Sequence, residues 1–194
     1  MLKTKNYIEE YMAKFGVYKM KFDDLDDIMK IEEEAFSLPW SRWMFERELE
    51  ESKRSYFLVA KDGNKAIGYI GFWLVIDEAH IVTIAVSNEY RRKGVGTILL
   101  ASALIVADTL DANKATLEVR VSNTHAQNMY ETFGFEIISI RKGFYSDTNE
   151  DAYVMWLYNL SGNMGRIRAL GQEAQLKLIS EEDGVKSNGR EQAT

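Results

Sequence analysis

Between residues 81 and 110 the chain passes from an apolar, β-branched stretch through a basic glycine turn into a leucine- and alanine-rich stretch too long for a strand. Ile81-Val82-Thr83-Ile84-Ala85-Val86 reads as a buried strand, and Thr97 to Leu110 as a buried helix. The turn between them is Tyr90-Arg91-Arg92-Lys93-Gly94-Val95-Gly96-Thr97. Its two glycines let the backbone approach a ligand with no Cβ in the way. The unpaired N–H groups of the helix's first turn, and its macrodipole, then favour negative charge. Arg91, Arg92 and Lys93 add formal charge at the mouth, so a pyrophosphate suits the turn. It is not a P-loop, because no Gly-Lys-Ser/Thr follows, and the third glycine of a dinucleotide fingerprint is missing. On the turn alone, a solvated basic connection remains the alternative.

The rest of the chain supplies a sheet and more helices. Residues 1–16 read as a short appended helix and Val17 to Phe22 as a first strand. Leu25, Ile28, Ile31 and Ala35 mark the apolar face of a helix, which Phe36-Ser37-Leu38-Pro39-Trp40-Ser41 interrupts. Pro39 holds Leu38 extended, and Ser41 can cap a second helix to about Ser52. Arg54 to Ala60 and Ala66 to Ile76 are strands joined at Asp62-Gly63-Asn64. Lys114 to Val121 alternates as a half-exposed strand. A short helix from Asn123-Thr124 ends at Gly134, and Phe135–Ile140 pairs with Asp151–Tyr158 across the loop 141–150. The order β-α-α-β-β-β-α-β-α-β-β implies an α/β (mixed α+β) domain with helices packed on one sheet.

Residues 1–160 are expected to form that single domain. From Ser161 onward the pattern dissolves, and Lys177-Leu178-Ile179-Ser180-Glu181-Glu182-Asp183 resembles the core of a common epitope tag. Residues 161–194 are therefore expected to be an artificial or disordered tail, with a short helix as the alternative.

Composition excludes several chemistries. There is no cysteine, hence no disulfide framework, no zinc-thiolate site and no thiol nucleophile. His80 and His125 are far apart and form no metal motif, so each reads as structural and no metal is expected. A net charge of −6 and a pI of about 5.1 argue against nucleic acid as a partner. Seven acids between Asp23 and Glu34, against Lys30 alone, read as a solvated helix face. Met1 to Phe15 is charged throughout, so no signal peptide is read there, and Thr97–Ala107 is too short to span a bilayer. The expected setting is cytoplasmic, without a membrane partner.

Four ordered motifs carry a resemblance: His80 to Val86, then Arg91-x-x-Gly94-x-Gly96, then Leu117-Glu118-Val119-Arg120-x-Ser122-Asn123, then Met129-Tyr130-Glu131-x-x-Gly134-Phe135. Together they resemble the GNAT acetyltransferases, and more narrowly the N-terminal protein acetyltransferases of the ribosomal-protein-alanine type and their archaeal counterparts. The resemblance covers about residues 17–160. It implies the GNAT fold, a mostly antiparallel mixed sheet of about seven strands with four helices on its faces, and acetyl-CoA as the acyl donor. By it, Ile84, Ala85 and Val86 should pair with the pantetheine amides, and Arg91, Arg92, Lys93, Gly94, Val95, Gly96 and Thr97 should hold the pyrophosphate. Asn123 should fix the pantetheine arm or cap its helix, or do both. Leu38, Pro39, Trp40, Tyr145 and Asp147 should form the slot for the acceptor's first residues, with a packed apolar turn and an exposed hairpin tip as the alternative.

Acetyl transfer to an amine needs a neutral nucleophile and a proton for the departing thiolate. Glu118 is the candidate base, directly or through water, or else an ordinary strand carboxylate paired with Arg120 or a neighbour. Tyr130 is the candidate acid and a cofactor contact, or else a core tyrosine. Without cysteine an acetyl-cysteine intermediate is impossible, so transfer is expected to be direct, in a ternary complex. The expected reaction is acetylation of protein or peptide N-termini. A small amine acceptor, or a non-catalytic CoA-binding subunit, are the alternatives.

Overall fold

The computed structural model describes residues 15–51 and 53–190. Most of the expected N-terminal helix therefore lies outside the described residues. Its last two positions, Phe15 and Gly16, open a strand instead. Seven strands form one sheet: β1 (Phe15–Lys19), β2 (Ser55–Asp62), β3 (Lys65–Val75), β4 (Glu78–Val86), β5 (Lys114–Arg120), β6 (Glu136–Tyr145) and β7 (Glu150–Leu157), in the order β1-β2-β3-β4-β5-β7-β6. Every neighbouring pair is antiparallel except β4 and β5. A parallel pair needs a long crossover. Here it is α3 (Val95–Thr109), the apolar run read as a buried helix, with eight of its side chains buried.

The parallel pair is short. Glu78 to Ile81 pair with Lys114 to Leu117, and there the ladder stops. Among the described residues, Ile84 to Val86 pair with β3 alone and Glu118 to Arg120 with β7 alone. Two central strands thus part company in mid-sheet and leave an open β4 edge.

Helices cover both faces. On one, α1 (Leu25–Ala35) and α2 (Arg42–Glu51) enclose Met20, Leu25, Ile28, Ile31, Phe45, Phe57 and Tyr69. On the other, the larger core gathers around Leu99, Leu100 and Leu104 of α3, with Phe133 of α4 (Thr124–Phe133) and Phe135. The acidic stretch is less solvated than its charge suggests. Asp24 and Glu32 are buried, the first paired with Lys61.

Two expectations need correction. The 141–150 loop is shorter, because β6 runs on to Tyr145 through irregular pairing around Arg141 and β7 begins at Glu150. The larger correction concerns the tail, where a fifth helix, α5 (Leu160–Arg190), follows the sheet. Leu160, Met164, Ile167, Ala174 and Leu178 are buried in the main core, and Gly171 lies against Ala101. Their spacing of three and four residues is one helical face. Gly162, Gly165 and Gly171, with the small Ala174, hide that face from a hydropathy reading. No described helix is long and apolar enough to cross a membrane.

Candidate active site

The basic turn has the form the sequence predicts. Gly94 stands at the N-cap of α3 in the left-handed region, φ +91°, where a Cβ would be strained. The first helical bond runs from Ile98 N–H to the Gly94 carbonyl at 3.0 Å, so the N–H groups of Val95, Gly96 and Thr97 have no acceptor within the helix. Arg91, Arg92 and Lys93 are exposed around them. Arg91 Nε donates to the Val86 carbonyl at 3.1 Å, which ties the turn to the end of β4. Unpaired N–H groups at a helix N-terminus, next to an open strand edge over Ile84–Val86, suit a ligand with a pyrophosphate head and an extended amide arm.

Where β4 and β5 part, their side chains meet. His80 and Glu118 flank the last rungs of the parallel ladder, and His80 Nε2 lies 2.8 Å from Glu118 Oε2. An ionised carboxylate only accepts, so the imidazole donates through Nε2, and in the neutral ring the lone pair then lies on Nδ1. Arg141 Nη1 donates to Glu118 Oε1 at 2.6 Å. The Glu118 pKa is lowered, chiefly by the hydrogen bond from His80 and further by Arg141, against the opposing effect of burial. Both carboxylate oxygens are thus engaged. Glu118 pairs with His80 and Arg141, while Arg120 turns to Asp147 and Glu150.

Tyr130 comes from the middle of α4, whose ends are set by Asn123 and Gly134. Asn123 Oδ1 accepts the Ala126 N–H at 3.1 Å, so it does serve as a cap. Tyr130 is 5% exposed and packs at 5.9 Å from Phe135, yet no described residue hydrogen-bonds its hydroxyl. Burial pushes its pKa up, and Tyr145 nearby adds to the shift. Tyr145 in turn lies under the Arg120 guanidinium, 3.9 Å from ring centroid to Cζ.

The two loops expected to hold the acceptor also come together. Ser37 Oγ donates to Asp147 Oδ2, joining the α1–α2 loop to the β6–β7 turn. Arg120 Nη2 donates to both Asp147 oxygens, at 2.7 and 2.9 Å, and Nη1 to Glu150 at 3.2 Å. Ser37 first and Arg120 second hold the Asp147 carboxyl down to about 2. Leu38 is exposed at the loop tip, whereas Trp40 turns inward, its ring 5.3 Å from Phe45 and 6.1 Å from Phe57. Trp40 therefore fixes the loop to the core. Its N–H donates to Glu32 Oε1 at 2.8 Å. Arg141, Ser37 and Glu32 had no role in the sequence reading, which took His80 as structural and Arg120 only as a candidate partner of Glu118.

An opened parallel pair, a helix N-terminus beside it and a proton-handling cluster at the parting point define a transferase that takes an extended acyl-CoA donor. Comparison with known proteins agrees: the model of the Acetyltransferase (GNAT) family matches residues 25–135, and the chain belongs to that family. A Bacillus subtilis (strain 168) protein assigned as a ribosomal protein bS18-alanine N-acetyltransferase is 42% identical over 146 residues, 75% of this chain and 96% of that one. An N-alpha-acetyltransferase of Saccharolobus solfataricus is 36% identical over 154 residues, 73% and 91% of the two chains. The crystal structure of the ribosomal-protein-S18-alanine N-acetyltransferase from Escherichia coli superposes with a TM-score of 0.69 at 30% identity, covering 75% of this chain and 94% of that one.

Proposed function

We propose that this protein transfers the acetyl group of acetyl-CoA to the N-terminal α-amine of proteins, directly and without a covalent enzyme intermediate. The observation that carries this reading is the His80–Glu118–Arg141 cluster at the point where β4 and β5 separate, with Tyr130, a largely buried residue, on the neighbouring helix. Relatives named for N-terminal acetylation support it.

In this reading Val95, Gly96 and Thr97 bind the donor's pyrophosphate through their N–H groups, aided by Arg91, Arg92 and Lys93. The β4 edge from Ile84 through Ala85 to Val86 takes the pantetheine amides, and Asn123 borders the arm. The slot between Leu38, Pro39, Trp40, Tyr145 and Asp147 admits the first acceptor residues. An α-amine has a reference pKa near ~8, so only a modest shift delivers it neutral. Glu118 fixes the imidazole tautomer, and His80 Nδ1 takes the proton that the amine sheds as its nitrogen bonds the acetyl carbon. This assigns proton uptake to His80, with Glu118 as its orienting partner, where the sequence alone suggested Glu118 itself. As the carbon–sulfur bond breaks, Tyr130 donates its hydroxyl proton to the thiolate. Burial keeps that phenol protonated until charge develops.

The test is acetyl transfer from acetyl-CoA to a panel of peptides with varied N-terminal residues, lysine-only peptides with blocked N-termini, polyamines and amino sugars, read by mass spectrometry. Acetylation of free peptide N-termini at the highest kcat/KM is the expected result. A preference for the small amines would overturn the assignment of the acceptor.

A further inference from the structure

The fifth helix does more than cover a core. It lies antiparallel to α3 along that helix's whole length. At one end Ser161 Oγ donates to Asp108 Oδ1 at 2.6 Å, and the Leu160 N–H to the Asn113 carbonyl at 2.8 Å. Midway, a Cβ built on Gly171 would stand 3.0 Å from the Ala101 Cβ. At the other end, a Cβ built on Gly94 would meet the Ala174 carbonyl oxygen at 3.1 Å, its Cβ at 3.2 Å and its Cα at 3.4 Å. Gly94 is the N-cap whose left-handed turn aims the three unpaired N–H groups. The backbone and smallest side chain of α5 are thus pressed against the hinge of the pyrophosphate cradle. Near its start α5 also meets the C-cap of the Tyr130 helix, where a Cβ on Gly134 would lie 3.1 Å from Arg166 Nη1.

This helix is an addition. The Bacillus subtilis relative is 96% covered by a 146-residue alignment, and the sheet with its helices from Phe15 to Leu157 already fills such a length. No room is left there for a 31-residue helix as well.

We propose that α5 is a positioning element for the donor's pyrophosphate: Ala174, backed by the antiparallel contact with α3, holds Gly94 in place and so keeps the cradle formed before acetyl-CoA arrives. A turn with two left-handed positions one residue apart, Arg92 at φ +62° and Gly94 at φ +91°, has other conformations open to it in isolation. Only the competent fraction binds, and the apparent affinity falls in proportion to that fraction. A rigid wall behind Gly94 raises it. The proposal rests on the reading that residues 91–97 take the pyrophosphate.

The experiment compares two donors, acetyl-CoA and S-acetyl-pantetheine, which lacks the pyrophosphate. It uses full-length wild type, Ala174→Val, Ala174→Leu and, as a control on an exposed position, Leu176→Ala. The larger side chains push into Gly94 in graded fashion, so Ala174→Val serves if Ala174→Leu does not fold. For acetyl-CoA the KM should rise, reaching about tenfold for Ala174→Leu, with kcat within about twofold of wild type. For S-acetyl-pantetheine both constants should be those of wild type, and Leu176→Ala should match wild type throughout. If wild type shows the same KM for both donors, the pyrophosphate reading of the turn is wrong. If wild type discriminates and the Ala174 variants discriminate equally well, or lose kcat on both donors alike, α5 is only a scaffold and the proposal fails.

Discussion

At Glu118 one oxygen receives His80 and the other Arg141, and these donors keep the carboxylate ionised well below neutrality. A group already ionised cannot produce a neutral limb in a pH–rate profile. Glu118→Gln should therefore lower kcat by about 10²–10⁴, the usual worth of a positioned acid–base group, yet leave the rise of kcat with pH in place. His80→Asn should flatten that rise at saturating peptide, because it removes the ring nitrogen proposed to take the amine's proton. Loss of the limb in Glu118→Gln would return the base to Glu118 itself. At the cradle, a Cβ on Gly96 would make only ordinary contacts, 3.6 Å to Met129 Sδ and 3.9 Å to Val86 Cγ2. Gly96→Asp should fold, since an acid suits a helix's first turn, but should repel the pyrophosphate. Acetyl-CoA should then no longer raise its melting temperature, as it should for wild type. A preserved shift would remove the pyrophosphate from this turn. Glu118, Tyr130 and the cradle could be proposed from the sequence because each lies in a local motif. His80 was not: its partner is 38 residues away, and only the register of the parallel pair brings them together.

The proposed acceptor slot lies between two loops far apart in the chain, and both are fastened by charged or buried polar groups. Asp147 receives Ser37 and Arg120, so Asp147→Asn should loosen the β6–β7 turn from the α1–α2 loop. The expected result is a peptide KM raised roughly tenfold, about the size of one lost charge-assisted contact, with the KM for acetyl-CoA unchanged. Equal effects on both substrates would place Asp147 outside the slot. Glu32 anchors the other loop from inside. It is 1% exposed, Oε1 holds the Trp40 N–H, and Oε2 has no partner among the described residues. Burial raises its pKa from 4.5 to about 7, against the smaller pull of the Trp40 N–H. Between these values the native state holds a proton that the unfolded chain has released. Its contribution to stability is full below about pH 4.5 and is lost as pH rises through about 7. Compared with Glu32→Gln, wild type should lose on the order of 3 kcal/mol at most across that window, measured by urea unfolding at a series of pH values. Parallel curves for the two proteins would show that Glu32 is ionised when folded. Helices and strands here were legible from periodicity and from Pro39. The two inter-loop fastenings were not, because Ser37 and Asp147 are 110 positions apart and each looks like an ordinary turn residue.

Taken whole, the molecule is a sheet between two unequal layers, and the C-terminal helix completes the larger one. The sequence suggests that a chain ending near Asn159 or Leu160 would keep its stability, since residues 161–194 show no broad apolar face. Burial of Met164, Ile167, Ala174 and Leu178 points the other way. Ending the chain there removes these groups and also uncovers the side of α3 that faces Gly171 and Ala174. Fully burying one large aliphatic side chain is worth about 1.5–3 kcal/mol, and three of these four are of that size. A helix that merely balances its own ordering can still shield apolar surface on α3, and removing it leaves that surface exposed to water. A protein ending at Asn159 should therefore unfold at lower urea concentration, with several kcal/mol less stability, and should bind a hydrophobic dye that the full chain excludes. The urea m-value should also fall, because less surface is newly exposed when the shortened chain unfolds. An unchanged midpoint and m-value would mean that α5 does not pack on α3 in solution.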